Sequence, residues 1–150
     1  MRYLTLLLLV ILAGCSQTEP IEFDFRGLKI GDPYQEIDGA FVMTDNPVDA
    51  NGKSGRMISM NCDPISVEVY TLEGDTHGVT VYGDNLSNAY IDKYGPPHFT
   101  ADGRECWRTT SDAVLYIKGR TASIMTDEFS DHLADSNEEF EQSQIEKMKL

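Results

Sequence analysis

A hairpin pattern between residues 65 and 82 constrains the fold of this chain more than any other feature. Apolar and polar side chains alternate along Ile65–Leu72, and valines recur at every second position of the segment 78–82. Such alternation is typical of a strand with one buried face. The Glu73-Gly74-Asp75 turn between the two segments is too short for a crossover between parallel strands. The sequence therefore predicts an antiparallel hairpin.

Similar patterns elsewhere extend this prediction to a whole domain. Further strands are predicted at 22–26, 56–62, 105–109, 113–117 and 121–125, and helices at 32–39, at 86–94 and from residue 127 onward. The segment 44–55 is rich in turn-forming residues and is predicted to be a loop. We therefore expect an α+β fold with a mainly antiparallel sheet, two or three helices packed on one face, and an acidic C-terminal helix.

Capping residues support the first two predicted helices. Asp32 can cap a helix whose first position is Pro33, and Gln35 completes a capping box. Gly95 is expected to end the second helix, because the prolines that follow it cannot continue one. At the end of the chain, residues 135–150 are interpreted as a frayed helix, a solvated tail or a segment that folds on a basic partner, and a solvated helical face is favoured.

The first fifteen residues, MRYLTLLLLVILAGC, have the composition of an export signal. Arg2 gives a positive start, residues 4–12 are almost wholly apolar, and the small residues Ala13 and Gly14 lead into Cys15. The apolar run is shorter than the about 20 residues that a helix needs to span a bilayer. It is therefore predicted to be a removable leader rather than a part of the folded domain.

This junction closely resembles the lipobox of bacterial lipoproteins. The resemblance implies that residues 1–14 are a signal peptide, that Cys15 is the lipid attachment site, and that residues 15–21 form a lipidated tether. The α+β domain is then expected at 22–134, and the acidic C-terminal helix or tail at 135–150. Lipoproteins of this class carry three acyl chains, palmitate among them, which hold a protein at a membrane far more firmly than one chain.

The residue after the cysteine indicates the destination within this class. Ser16 stands where the sorting rule of the class places an aspartate in proteins that are retained at the inner membrane. The resemblance therefore implies a protein of the bacterial cell envelope, anchored by lipid in the outer membrane and facing the periplasm.

Two shorter fragments resemble small envelope lipoproteins of the barrel-assembly accessory (SmpA/OmlA-like) type. They are the helix start GDPYQEI at 31–37 and the helix end DKYGPP at 92–97. The resemblance implies a compact fold of helices and antiparallel sheet, attachment to the outer membrane, and binding of protein partners. It assigns no functional residue in this chain.

The charge of the chain limits its partners. It carries 12 Lys and Arg against 25 Asp and Glu, a formal net charge of −13 at pH 7, and loss of Arg2 with the leader makes it one unit more negative. Such a charge repels nucleic acids and anionic lipid head groups, so we expect no nucleic-acid partner and contact with the membrane through the lipid anchor. It favours either a basic protein partner or simply solubility.

The two remaining cysteines form an even pair in an oxidising compartment. Once Cys15 is assigned to lipid, Cys62 and Cys106 are left, and both lie in predicted strands. A disulfide between them is predicted, and closing this loop would stabilise the fold by roughly 4 kcal/mol in the chain-entropy model. Two buried free thiols are the main alternative.

Trp107, the one tryptophan, has two interpretations. It follows Cys106 directly, so an inward Cys106 would place Trp107 on the other face of the sheet. With Arg104 and Arg108 beside it, Trp107 then forms a possible partner surface, because Trp and Arg are enriched at interface hot spots. The alternative is that a helix covers this face and Trp107 belongs to the core.

No motif in the sequence identifies a reaction. The three histidines are scattered, the loop Asn51–Ser54 lacks the first glycine of a phosphate-binding loop, and no cysteine or histidine spacing is typical of a metal site. We therefore expect no catalytic residues, no metal and no cofactor.

Three functions remain open on the sequence alone. The leading hypothesis is a membrane-anchored, non-enzymatic protein-binding module of the cell envelope that faces the periplasm. The second is an acidic inhibitor or immunity protein against a basic enzyme that attacks the envelope, since its negative field would steer a cationic target. The third is an envelope enzyme, which would need a deep pocket lined by perturbed titratable groups.

Overall fold

A computed structural model describes residues 18–149, so the predicted leader and the predicted lipid site Cys15 lie outside the described residues. This part of the chain contains a large sheet and two helices. The elements in chain order are β1 Phe41–Pro47, β2 Gly55–Cys62, β3 Ile65–Leu72, β4 Asp75–Tyr82, α1 Leu86–Tyr94, β5 Phe99–Ala101, β6 Arg104–Arg108, β7 Val114–Lys118, β8 Thr121–Met125 and α2 Asp127–Met148.

All eight strands join one antiparallel sheet, in the order β1-β2-β3-β4-β8-β7-β6-β5. Each half of the sheet is a four-stranded meander, and β4 pairs with β8 to join the halves. The predicted hairpin is confirmed, since β3 pairs with β4 through a tight turn that places Glu73 and Gly74 at positive φ. The mainly antiparallel α+β class is confirmed as well.

The N-terminal segment 21–40 forms neither the first predicted strand nor the first predicted helix. Its backbone pairs with the start of β4 and the turn before it instead: the amides of Gly31 and Tyr34 donate to the carbonyls of Thr76 and Gly74, at 2.8 and 2.9 Å. These tertiary hydrogen bonds use donors at the predicted helix start, so the capping signal at Asp32 does not produce a helix. The predicted inward direction of Phe23 and Phe25 is nevertheless confirmed, because both are buried.

Strand β1 occupies one edge of the sheet, in a segment predicted in part to be a loop. All seven of its residues are exposed, and Phe41, Val42 and Met43 are its large apolar side chains. Because neither face of β1 is buried, it lacks the alternation by which strands are recognised in a sequence. Its pairing with β2 contains a β-bulge between Val42 and Thr44, a feature that blunts exposed edges.

The main hydrophobic core lies on one face of the sheet, which we call the core face. Side chains from six strands meet there, among them Ile58, Val69, Val79, Leu115 and Ile124. The N-terminal segment and α1 cover them. Helix α1 has the predicted bounds, and its predicted apolar stripe is confirmed in that Leu86 is buried and Tyr90 and Tyr94 pack against the core.

Helix α2 lies on the opposite face of the sheet. Its first turns pack Phe129 and Leu133 against Tyr70 and Leu72, whose side chains point away from the core face. The Tyr70 and Phe129 ring centroids are 5.3 Å apart. The prediction that the helices pack on one face is therefore wrong, because α1 and α2 contact opposite faces. Within 18–149, neither helix is long and apolar enough to cross a membrane.

The acidic C-terminal segment is the distal part of one continuous helix. Helix α2 begins where the Thr126 hydroxyl accepts a hydrogen bond from the Phe129 amide, and it runs without a break through the predicted boundary at 134/135. Residues 137–149 are all exposed. The structure therefore shows this acidic segment as a helix exposed to solvent, which is the interpretation that the sequence favours.

Candidate functional site

The structure places Trp107 in the core, so of its two interpretations the core residue is confirmed and a part in a partner surface is wrong. Its side chain has 0% exposure and lies beneath α1 on the core face. The indole Nε1 donates a 3.0 Å hydrogen bond to the carbonyl of Gly95, the residue that ends α1. Trp107 therefore joins the helix to the sheet and offers nothing to a partner.

The geometry of the sheet does not allow the predicted disulfide. Cys62 and Cys106 are both free and buried. Cys62 belongs to the core face, whereas Cys106 is the strand neighbour of Trp107 and points to the other face. Four strands lie between β2 and β6 in the sheet, so five inter-strand steps separate the two strands. At about 4.8 Å per step, the separation is roughly 24 Å. A disulfide needs Cα atoms about 4.4–6.8 Å apart, so each thiol stays free in this fold.

We predict that both thiols resist alkylation in the folded protein and react completely after denaturation without a reductant. Burial raises the pKa of the Cys62 thiol and of the Cys106 thiol, which lowers the fraction of reactive thiolate further. Mass spectrometry of tryptic peptides from envelope-derived protein, treated with iodoacetamide before and after denaturation, measures this. A disulfide-linked peptide pair would contradict the sheet order described above.

Arg104 and Arg108 of the predicted partner surface do lie together on an exposed surface, on the face opposite to Trp107. They flank Cys106 in β6, and Cys106 pairs with Phe99 on one side and Tyr116 on the other. We call this surface the open sheet face. It is defined by six side chains: Tyr82, Phe99, Arg104, Arg108, Tyr116 and Lys118.

Each arginine of the open sheet face rests on an aromatic ring. The Arg104 guanidinium carbon is 4.7 Å from the centroid of Tyr116, and that of Arg108 is 4.7 Å from the centroid of Phe99. A cation–π contact of this kind contributes about 0.5–1 kcal/mol at an exposed site. It also holds the guanidinium groups in place, so less side-chain entropy is lost when a partner binds them.

The cations of this surface have no carboxylate partner in the described chain. Within residues 18–149, ion pairs involve four other cations, and none involves Arg104, Arg108 or Lys118. The nearby acid on the same face, Glu68, accepts a 2.7 Å hydrogen bond from the Tyr70 hydroxyl. A local basic and aromatic surface thus exists on a strongly acidic chain.

A chain of hydroxyl groups borders the open sheet face on the side of α2. The Tyr70 hydroxyl lies 3.0 Å from the Thr80 hydroxyl, which lies 2.8 Å from that of Ser123. Burial raises the pKa of Tyr70, and burial is also the main cause of the raised pKa of Tyr82. Both tyrosines therefore stay neutral near pH 7, and Tyr70 takes part in hydrogen bonds with Glu68 and Thr80.

The three histidines serve structural contacts. His132 on α2 is buried against the Val48 carbonyl, and His77 Nδ1 lies 2.9 Å from the Thr126 hydroxyl that caps α2. His98 Nδ1 accepts a 3.0 Å hydrogen bond from the Arg108 amide. Burial, followed by the charge of Arg108, lowers the pKa of His98, which keeps its ring neutral and able to accept.

A cavity of about 320 Å³ lies between the N-terminal segment and α1. Phe25, Val81 and Leu86 form its apolar floor, and Arg26 and Lys93 stand at its rim. No histidine, cysteine or serine is among the residues that line it. Across residues 18–149, no group of three or more potential metal ligands is present.

Sequence reasoning reached two of the six residues of the open sheet face. The sequence indicates Arg104 and Arg108 because they flank Trp107, and no pattern in it indicates the other four: Tyr82, Phe99, Tyr116 and Lys118. Phe99 and Tyr116 pair with Cys106, so they lie on the same face of the sheet as Arg104 and Arg108. Strand alternation indicates this face, but only the strand register identifies these two residues as its members. The chain matches no protein-family model, and no curated protein sequence or solved structure is significantly similar to it.

Proposed function

We propose that this chain is a lipid-anchored, non-enzymatic protein-binding module of the bacterial envelope, and that it binds its partner through the open sheet face. The observation that carries the proposal is the pair of ring-stacked arginines without carboxylate partners. Arginine and aromatic side chains are enriched in the energetically dominant parts of interfaces. A partner surface with carboxylates and an apolar centre suits this chemistry.

The exposed state of these groups supports the same proposal. Tyr82 is 43% exposed, and Arg104 and Arg108 are exposed as well. The side chains that pack with α2 include Tyr70, Leu72 and Met125 but none of the six side chains of the open sheet face. A one-sided antiparallel sheet usually turns small polar residues to water. Aromatic rings and unpaired guanidinium groups in that position favour a second molecule.

Charge reversal tests the proposal directly. Envelope cross-linking and mass spectrometry should recover a protein partner with the wild-type chain and lose it with Arg104→Glu/Arg108→Glu. A matched control, Arg26→Glu/Lys53→Glu, makes the same change of charge away from the open sheet face and should keep the partner. Recovery of the same partner by the open-face variant would overturn the proposal.

A second function is favoured by α2. Its exposed distal part carries Glu138, Glu139, Glu141 and Glu146, a surface suited to a basic protein. This supports the hypothesis of an inhibitor or immunity protein against a basic enzyme, with steering by the negative field. Two results together would favour this second function. The variant Glu138→Lys/Glu141→Lys would lose the partner, and the variant Arg104→Glu/Arg108→Glu would still capture it.

A further inference from the structure

Two surfaces of this chain are largely exposed within residues 18–149, and their chemistry is complementary. One is the open sheet face, with cations stacked on aromatic rings. The other is the distal α2 segment, residues 137–149, all of which are exposed. The distal α2 segment combines carboxylates with large apolar side chains, whereas the open sheet face combines guanidinium groups with rings.

The distal α2 segment is poorly supported by its own domain. Its last hydrogen bonds to the domain both come from Asn51. The Asn51 side chain donates to Asp135, and the Asn51 backbone amide donates to Glu139, each at 3.0 Å. Beyond Glu139, the side chains of the helix make hydrogen bonds only within the helix, as far as residue 149. Short helices without tertiary packing are marginal in water, so an intermolecular contact would stabilise this one.

Apolar exposure in the distal α2 segment is high. Phe140 is 64% exposed, Ile145 is 48% exposed and Met148 is 77% exposed, in a chain whose other large apolar residues are mostly buried. These side chains supply the apolar centre that the rings of Phe99 and Tyr116 would contact. Glu138, Glu141 and Glu146 supply carboxylates for Arg104, Arg108 and Lys118.

We infer that a second copy of this chain binds at the open sheet face, and that its distal α2 segment is the element that docks there. This inference rests on the proposed function, since it names the partner of the same surface. Both surfaces occur on every copy, so two copies can make the contact twice about a twofold axis. Two such contacts bury twice the area of one, and stable interfaces bury a total of about 1,200–2,000 Å².

A charge-swap experiment tests the inference with the full-length chain. Sedimentation equilibrium in a density-matched detergent should show a dimer for the wild type. We expect Arg104→Glu/Arg108→Glu to weaken dimerisation by about 10- to 100-fold, because it opposes acids to acids across the contact. The helix variant Glu138→Lys/Glu141→Lys/Glu146→Lys should weaken it similarly, because it opposes bases to bases.

Mixing the two variants is the decisive arm. In the mixed pair, the acidic open sheet face of the first variant meets the basic distal α2 segment of the second variant. The other contact joins the wild-type open sheet face of the second variant to the wild-type distal α2 segment of the first. The mixture should therefore dimerise, which also proves that both variants are folded. The control Glu36→Lys/Asp38→Lys/Asp92→Lys makes an equal change of charge elsewhere and should leave the dimer intact.

Three other outcomes would contradict the inference, and they differ in what they leave standing. A dimer that persists in both variants points to another surface, such as the edge strand β1, and overturns the inference. Two monomeric variants whose mixture stays monomeric also overturn it. A monomeric wild type whose partner capture still depends on Arg104 and Arg108 refutes the second copy and leaves the proposed function standing.

Discussion

A Trp107→Ala variant is expected to lose about 3–5 kcal/mol of unfolding free energy, which is the usual cost of removing a fully buried aromatic side chain. The indole fills the space between β6 and α1 and donates its Nε1 hydrogen to Gly95. Its loss leaves both a cavity and an unpaired carbonyl. Because a domain of this size is stable by only about 5–15 kcal/mol, the effect is large.

Urea unfolding followed by far-ultraviolet circular dichroism measures this loss without using tryptophan as the probe. Trp107→Phe keeps a ring and should lose less, while Val114→Ala, at a site that is 40% exposed, should change stability by less than about 0.5 kcal/mol. In the wild type, the emission of Trp107 should be blue-shifted and resistant to quenchers. An alanine variant as stable as the Val114→Ala control would contradict the placement of Trp107 beneath α1.

A Cys15→Ala variant is expected to lose all fatty-acid labelling and to keep its leader. The resemblance to the lipobox makes the Cys15 sulfur the acceptor of the diacylglyceryl group, and alanine has no such atom. Three acyl chains attach a protein far more firmly than one, since each buried CH₂ contributes about 0.8 kcal/mol. Metabolic labelling with a fatty acid and intact mass measurement of the isolated protein follow both changes.

Cys62→Ala is the matched control for the anchor. It removes a thiol that is buried on the core face, so the label should remain although the domain is less stable. If Cys15→Ala kept the fatty-acid label, Cys15 would not be the lipid attachment site. The same would follow if only Cys62→Ala lost the label.

Elements with both a periodic pattern and clear ends could be predicted from the sequence. Helix α1 has the predicted bounds because its apolar stripe is bounded by Gly95 and two prolines. Strands β3 and β8 also have their predicted bounds. In these segments local propensity and tertiary burial favour the same conformation, so the pattern is unambiguous.

Elements decided by tertiary contacts could not be predicted. The capping signal at Asp32 is sound in isolation, but the hydrogen bonds of Gly31 and Tyr34 to β4 and the turn before it replace the helix. Strand β1 is exposed along its whole length, and its sequence includes Asp45, Asn46 and Pro47, which are depleted in strands. Only its pairing with β2 makes it a strand.

The open sheet face depends on strand order, which the sequence does not encode locally. Phe99, Cys106 and Tyr116 become neighbours because β5, β6 and β7 pair in register. Tyr82 joins them only through the pairing of β4 with β8, between residues about 40 positions apart in the chain. The same strand order separates the two cysteines, so the even cysteine count predicts a disulfide that the sheet does not permit.

Site-specific photo-cross-linking in intact cells tests the central claim most directly. A photoreactive residue in place of Val114 lies two positions from Tyr116 on the same face, while one in place of Arg26 lies at the cavity covered by the N-terminal segment and α1. The account predicts a discrete protein adduct from position 114, at twice the chain mass for a second copy, and none from position 26. Adducts from position 26 with none from position 114 would contradict it.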